Sequence, residues 1–397
     1  MGNLKIQPRK LSGTVAVPPS KSIAHRAVIC SALSNAESFL QLNLSDDLLA
    51  TIKGMQALRE GGDVTIDCNE SGSTLRFLIP ISLVLTNGGR FIGKGNLGKR
   101  PLTPFFPIFE QCNINHKEGN GDSLDFQVKG TLLPGHYSIS GDVSSQFISG
   151  LFFALPLLNG DSILTITTPL ESKAYLDLTL SVMESFGVHI EKKDNQVYEI
   201  KGKQIYQNIP YEMEGDYSQA AFFLCANALG SDVNVKNLKL NSEQGDKAVI
   251  ELVKRFQEHD SQDLITIDGS QCPDIMPIIA LTAALQNKKR TQIIHAKRLR
   301  LKECDRISAV CKELNQLGAK IRELEDGFYI EGVSQLSGGC EVWSHNDHRI
   351  AMMLSIAATV CKEPILLKNY ECVSKSYPKF FEDYLQLGGG VHEWSMG

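Results

Sequence analysis

Ser20-Lys21-Ser22-Ile23-Ala24-His25-Arg26 leads into Ala27, Val28, Ile29, Ala32 and Leu33, an apolar run that reads as a buried helix. Pro18-Pro19 stops whatever precedes it, because proline lacks an N–H and fixes φ, and Ser20 then stands where a helix cap belongs. A helix N-terminus already carries about half a positive charge, so Lys21 in the first turn is unfavourable unless an anion shares the site. Unpaired N–H groups, hydroxyls and an ammonium together make a phosphate or carboxylate site. Taken alone, the stretch reads equally well as a capped helix with Lys21 reaching into water.

Repetition decides between those readings. Comparable starts recur at Ser71-Gly72-Ser73-Thr74-Leu75-Arg76, Ser144-Ser145-Gln146-Phe147, Ser218-Gln219-Ala220-Ala221, Asp274-Ile275-Met276-Pro277 and Asp347-His348-Arg349-Ile350, each a polar cap candidate before an almost wholly apolar helix. The starts at 20, 71, 144, 218, 274 and 347 lie 51, 73, 74, 56 and 73 residues apart, so the first half's spacings (51, 73) nearly return in the second (56, 73). The chain reads as duplicated, each half holding three units. A second helix type alternates with the first: Asp46 to Gly61, Tyr175 to Gly187, Lys247 to His259, Arg306 to Gly318 and Tyr377 to Gly388 are amphipathic, with Pro104 to Cys112 a weaker sixth. Strand-like runs lie between them, including Asp63 to Ile66, Ile163 to Ile166, Val233 to Val235, Ile265 to Ile267 and Gln292 to Ile294.

A chain of 397 residues with 42% hydrophobic content fits two or three globular domains of the α/β class. No apolar run reaches the roughly 18 residues a membrane span needs, and Met1 to Lys10 lack a signal peptide's apolar core, so a cytoplasmic protein is expected. The ten cysteines form no Cys-x-x-Cys pair, which speaks against a zinc site or a disulfide framework and leaves them as small buried hydrophobes. A net charge of −5 without a basic stripe speaks against a nucleic-acid partner. The duplication starts its second half at Glu214-Gly215-Asp216, and the strand-like Leu11 to Val17 has no room in the first. The expected domains are therefore 19–213, and 1–18 together with 214–397.

With these stretches in place, the chain resembles the EPSP synthases of the enolpyruvyl transferase family. The residues that carry the resemblance are Ser20 to Arg26, Gly72-Ser73-Thr74-Leu75-Arg76, Lys99-Arg100-Pro101, Ser144-Ser145-Gln146-Phe147, Gly215-Asp216, Lys302-Glu303-Cys304-Asp305-Arg306, Asn346-Asp347-His348-Arg349 and Lys375-Ser376-Tyr377-Pro378, all in family order. The resemblance implies two similar domains, each of three βαβαββ units with buried parallel helices, an inside-out α/β barrel whose helix N-termini face a shared cleft. It implies transfer of the enolpyruvyl group of phosphoenolpyruvate to the 5-hydroxyl of shikimate 3-phosphate, with no metal or organic cofactor and a monomeric enzyme.

By the same resemblance, Lys21, Gly72, Arg100, Gln146, Arg306, Arg349 and Lys375 surround phosphoenolpyruvate. Lys21, Ser22, Arg26, Ser144, Ser145, Gln146, Ser172, Tyr175, Asp274 and Lys302 match positions that hold shikimate 3-phosphate. Arginine suits polyanions because its planar fork pairs bidentately with carboxylate or phosphate. The reaction needs a base for the hydroxyl, matched by Asp274, and a group that moves the methylene proton, matched by Glu303; Lys21 assists and stabilises the departing phosphate. His348 is a further candidate.

Read alone, Asp274 is a helix cap worth about 1 kcal/mol, and Lys302-Glu303 a solvated charge pair worth under ~1 kcal/mol. Arg76, inside an apolar helix, reads as a buried structural cation paired across the cleft. Two positions depart from the family pattern: Glu70 stands where many relatives have asparagine, and Arg298 stands where some carry an asparagine that touches shikimate. The related transferase acting on UDP-N-acetylglucosamine is the first alternative, but it resembles a Lys-Asn pair at the first helix and a mobile-loop cysteine, whereas Ser22 follows Lys21 and Gly93 to Thr103 contains no cysteine. RNA 3′-phosphate cyclase shares the βαβαββ unit, but the acidic net charge and the missing nucleotide signature speak against it. A non-catalytic anion-binding repeat protein would keep the serine caps without needing Asp274 and Glu303.

Overall fold

Among the residues described by this computed structural model (2–34, 45–119, 121, 123–258 and 264–394), four sheets of four strands repeat one plan. The chain starts with β1 (Asn3–Gln7) and β2 (Ser12–Ala16), then α1 (Lys21–Leu33) and α2 (Asp46–Glu60). One full repeat follows: β3 (Thr65–Asp67), α3 (Gly72–Leu85), β4 (Gly88–Gly93), α4 (Phe106–Gln111), β5 (Asn115–Glu118) and β6 (Leu124–Lys129). The next is β7 (His136–Ile139), α5 (Ser145–Ala154), β8 (Ser162–Ile166), α6 (Lys173–Ser185), β9 (Ile190–Lys192) and β10 (Val197–Ile200). After α7 (Tyr217–Ala228), β11 (Asp232–Lys236) and α8 (Ala248–Glu258) comes a third: β12 (Leu264–Asp268), α9 (Met276–Ala284), β13 (Arg290–Ile294), α10 (Arg306–Gln316), β14 (Lys320–Leu324) and β15 (Gly327–Glu331). The last comprises β16 (Glu341–Trp343), α11 (His348–Ala358), β17 (Ile365–Lys368), α12 (Phe380–Gln386) and β18 (Gly390–Trp394).

The orders β3-β4-β6-β5, β7-β8-β10-β9 and β12-β13-β15-β14 are the same: the first two strands run parallel, and the others join antiparallel. In the fourth sheet, β16-β17-β1-β18, strand β1 takes the third place from the other end of the chain, Leu4 opposite Leu367 and Ile6 opposite Ile365. A parallel pair of β2 with β11 accompanies α7 and α8. The remaining repeat is represented among the described residues by α1 and α2.

The chain divides into two compact units, a continuous one, Lys21–Met213, and a discontinuous one, Met1–Ser20 with Glu214–Gly397. Each has its own apolar core. Helices α3, α5, α7, α9 and α11 are apolar on nearly every side and almost wholly buried, as such helices must be. The contact of α3 with α5 is close because Gly150 has no side chain: a Cβ there would come within 2.3 Å of the Arg76 carbonyl oxygen. Phe77 and Phe153 then meet edge to face at 5.5 Å. Burying a phenylalanine contributes about 1.5–3 kcal/mol, so this seam fixes the ends of α3 and α5 that carry polar groups.

Three helix starts differ from expectation. The residue capping α7 is Asp216, whose carboxylate accepts from Ser218 and Gln219 N–H, so the helix begins ahead of Ser218. Asp274 caps nothing; it lies in a 3₁₀ turn, Pro273–Ile275, that leads into α9, and its carboxylate is engaged elsewhere. The amphipathic helix expected from Tyr377 begins at Phe380, because Pro378 interrupts the approach, and the Tyr377 hydroxyl instead donates to Asp383 at 2.6 Å. The expected end of α8 at His259 lies outside the described residues. All ten cysteines are unpaired, eight of them buried. Among the described residues no helix is long and apolar enough to cross a membrane.

Candidate active site

In the continuous unit, Ser45 caps α2 by accepting from Leu48 N–H, which puts Asp47 in the first turn. Its carboxylate lies 2.9 Å from Lys21 Nζ, so the anion beside Lys21 in this structure is one of the chain's own. Hydroxyls tie the first three helices together. His25 Nδ1 is 2.7 Å from Thr51 Oγ1, Thr51 Oγ1 is 2.7 Å from Thr74 Oγ1, and Thr74 donates to Ser71 Oγ at 2.7 Å. Ser71 in turn caps α3 by accepting from Thr74 N–H. Burial holds His25 well below the ordinary imidazole value, with Lys21 and Arg26 adding to the effect, so the ring is neutral at pH 7.

Gly72 is where three groups converge. A Cβ there would come within 2.7 Å of Arg100 Nη1, 3.5 Å of Arg76 Nη1 and 3.6 Å of Gln146 Oε1. Ser144 caps α5 and so places Gln146 in its first turn, with Ser145 buried beside it. Arg76 Nη1 donates to Gln146 Oε1 at 2.8 Å, and Gln146 Nε2 donates to Ser73 Oγ at 2.9 Å. Arg76 is buried, its guanidinium 4.8 Å from the Phe147 ring, and Gln146 and the Pro101 carbonyl of its own unit accept from it. The Glu70 carboxylate turns toward Gly95, where a Cβ would meet its Cδ at 2.8 Å.

Arg26 is committed to the protein. Its Nε donates to Thr179 Oγ1 at 2.7 Å, Nη1 to the Ser22 carbonyl at 2.8 Å and Nη2 to the Tyr175 carbonyl at 2.9 Å. Burial lowers it to about 10. Arg26 thus fastens Ser22, in α1, to Tyr175, in the first turn of α6. Ser172, buried just ahead of α6, sits at φ +55°, an uncommon conformation for serine.

The discontinuous unit gathers its candidates more tightly. Asp274 Oδ1 accepts from Lys302 Nζ at 3.1 Å and from Arg306 Nη1 at 2.9 Å, while Arg349 Nη2 lies 3.7 Å from Oδ2. Burial pushes the Asp274 carboxyl upward, but Lys302, Arg349 and Arg306 outweigh it and hold the group well below the carboxylate range. Burial lowers Lys302, against the pull of Asp274, and the nearby charges of Arg306 and Arg298 reinforce the lowering. Arg306 is buried and surrounded: Nε donates to Asp347 Oδ2 at 2.8 Å, and Nη2 to Glu303 Oε2 at 2.7 Å and to Asp347 Oδ1 at 3.3 Å. Although burial opposes its charge, Asp347, Glu303 and Asp274 raise its value well above the ordinary one. Lys302 and Glu303 are therefore not a solvated pair; each faces a different partner. Arg349 donates to the Ser218 carbonyl at 2.9 Å and to Ser218 Oγ at 2.7 Å, Lys375 Nζ to the Asn346 carbonyl at 2.6 Å, and His348 is buried at the start of α11.

Sequence reasoning passed over Asp47, which looked like an ordinary first-turn acid after Ser45. It took Asp347 for a cap alone, although the carboxylate both accepts from Arg349 N–H and holds Arg306. Ser218, read as a cap, instead positions Arg349.

The clustering of cations around two carboxylates is what a reaction between polyanions requires. Residues 6–384 match the EPSP synthase (3-phosphoshikimate 1-carboxyvinyltransferase) family. A 3-phosphoshikimate 1-carboxyvinyltransferase of Clostridium botulinum (strain Alaska E43 / Type E3) is 52% identical over the whole of both chains, and one of Clostridioides difficile (strain 630) is 50% identical over the same extent. The EPSP synthase structure from Acinetobacter baumannii superposes with a TM-score of 0.78 at 23% identity, covering all of both chains. That of the enolpyruvyl transferase NikO from Streptomyces tendae does so with a TM-score of 0.73 at 14% identity, again over both whole chains, so the two structures share the fold. With half of its residues shared across the full length of such relatives, the chain belongs to the EPSP synthase family.

Proposed function

We propose that the chain transfers the enolpyruvyl group of phosphoenolpyruvate to the 5-hydroxyl of shikimate 3-phosphate, releasing phosphate. Phosphoenolpyruvate is assigned to Lys21, Gly72, Arg100, Gln146, Arg306, Arg349 and Lys375. Shikimate 3-phosphate is assigned to Lys21, Ser22, Ser144, Ser145, Gln146, Ser172, Tyr175, Asp274 and Lys302, with Arg26 holding Ser22 and Tyr175 in place. The observation that carries the reading is the pair of carboxylates, Asp274 and Glu303, held on one guanidinium, Arg306.

In the addition step the hydroxyl oxygen bonds to C2 of phosphoenolpyruvate, its proton passes to Asp274, and Glu303 delivers a proton to C3. In the elimination the C2–O bond to phosphate breaks, the methyl group returns a proton to Glu303, and the proton held by Asp274 leaves with the phosphate. Asp274 is ionised but a weak base while Lys302, Arg306 and Arg349 surround it. Anionic substrates neutralise those cations, and a carboxylate that loses cationic neighbours becomes more basic, so binding itself prepares the base. Lys21, beside Asp47, is assigned to the leaving phosphate.

The proposed setting is the cytoplasm, with the chain acting as a monomer on two small anions and on neither nucleic acid nor membrane; the net charge of −5 supports the exclusion of nucleic acid. Phosphate release is measured with phosphoenolpyruvate and either shikimate 3-phosphate or UDP-N-acetylglucosamine. Release with the first acceptor alone is expected; release with the second alone, or with neither, overturns the proposal.

A further inference from the structure

His345 and Asn346, just ahead of α11, both lie in the left-handed region, at φ +53° and +56°, a conformation that asparagine, aspartate and histidine tolerate best among residues other than glycine. Two such residues in succession turn the chain sharply, and everything after the turn depends on it. The Asn346 carbonyl is presented to Lys375 Nζ at 2.6 Å, and Asp347 follows at once, taking up Arg306 and capping α11 ahead of Arg349. Lys375, Arg306 and Arg349 are the three cations of the discontinuous unit assigned to phosphoenolpyruvate. None is assigned to shikimate 3-phosphate.

What holds the turn comes from α10. Glu313 is a carboxylate 1% exposed on the inner face of that helix. Its Oε2 accepts from the Trp343 backbone N–H at 2.9 Å, and its Oε1 lies 2.8 Å from His345 Nε2. A carboxylate can only accept, so the ring carries its proton on Nε2. The ring also lies against Trp343, centroids 4.2 Å apart and tilted by 31°. From the other side Ser344 Oγ donates to the Asn369 carbonyl and accepts from Asn346 N–H, and Asn369 Nδ2 donates to Asn346 Oδ1. Burying a carboxylate is costly unless hydrogen bonds compensate it, and Glu313 finds them at the end of β16 and at the turn that follows it.

We propose that Glu313 and His345 are positioning residues for phosphoenolpyruvate, acting through the left-handed turn at His345-Asn346 to set Lys375 and Asp347. The inference rests on the function proposed above. Neither residue needs to touch substrate.

The test compares Glu313→Gln, His345→Val and His345→Asn with the parent chain, measuring KM for each substrate and the thermal midpoint. Glutamine in place of Glu313 offers one acceptor where two are needed. Valine, β-branched, cannot hold a positive φ, whereas asparagine holds it readily. A displaced binding group costs roughly tenfold or more. Glu313→Gln and His345→Val are therefore expected to raise KM for phosphoenolpyruvate by about that factor while KM for shikimate 3-phosphate stays within about twofold, and His345→Asn, which keeps the turn's backbone but loses the bond to Glu313, to raise it by clearly less than His345→Val. Unchanged KM for phosphoenolpyruvate in the first two, an equal rise for both substrates, or equal effects of valine and asparagine would overturn the inference. If Glu313→Gln does not fold, the valine and asparagine pair decides. No phosphate release from the parent would sink the proposed function and this inference together, whereas parent turnover with unaltered variants sinks the inference alone.

Discussion

Arg306 and Asp347 face each other fork to fork, Nε to Oδ2 at 2.8 Å and Nη2 to Oδ1 at 3.3 Å, with side chains 1% and 0% exposed. Removing one partner of a buried pair costs up to about 3–5 kcal/mol, and the lower end applies here because Arg306 keeps Asp274 and Glu303. Asp347→Ala is therefore expected to destabilise the discontinuous unit by that amount in urea unfolding, and also to loosen Arg306. Loss of less than about 1 kcal/mol, the range of an exposed pair, would show that water reaches the pair.

Asp274→Asn and Glu303→Gln are each expected to cut turnover by about 10²–10⁴, the usual contribution of a general acid or base. They should differ in binding. Asp274→Asn removes the anion that occupies Lys302 and Arg306, so shikimate 3-phosphate should bind at least as tightly as to the parent. Calorimetry against the two variants checks this; weaker binding to Asp274→Asn would show that the carboxylate holds the ligand more than the cations do.

A methyl group at position 72 meets Arg100 Nη1 at 2.7 Å before it meets anything else in the chain. Gly72→Ala should displace that guanidinium and raise KM for phosphoenolpyruvate. We propose that glyphosate fills the same pocket as phosphoenolpyruvate and reaches further, so it should suffer the added steric clash as well and its inhibition constant should rise by the larger factor. Equal factors would mean that the methyl acts through Arg100 alone.

His25 supplies a pH dependence whose sign follows from burial. Its folded value lies well below the ordinary 6.5, so below about pH 6.5 the unfolded chain takes up a proton that the native chain does not. Stability is then lost as pH falls, by about 1.4 kcal/mol per unit, until the depressed folded value is reached. Urea unfolding of the parent and of His25→Gln should therefore diverge by about 1.4 kcal/mol in all between pH 7.5 and 5.5. Parallel curves would place a charged imidazole in the folded state.

The buried helices were legible because a polar residue precedes a nearly unbroken apolar run in each, a pattern no surface helix needs. Ser71, Ser144 and Asp347 cap as their side chains dictate. Asp274 misled because capping and ion pairing ask for the same residue type at the same place; only the arrival of Lys302 and Arg306 from later in the chain distinguishes them. Asp47 and Glu313 were invisible for a related reason. An acid in a first turn, or on an amphipathic helix, is ordinary until the fold sets a lysine or a histidine against it. Strands such as β5, β9 and β16 escaped because three or four residues carry too little alternation to stand out.

Strand β1 pairs with β17 and β18, so Ile6 must find Ile365 across more than 350 residues of intervening chain. During synthesis the continuous unit, residues 21–213, emerges whole and can collapse while β1 and β2 still lack their partners. The first strands off the ribosome are thus among the last to be paired. Contacts of such long sequence separation are slow to form, and the unpaired edges of β1 are the place where an interrupted synthesis leaves this chain open to aggregation.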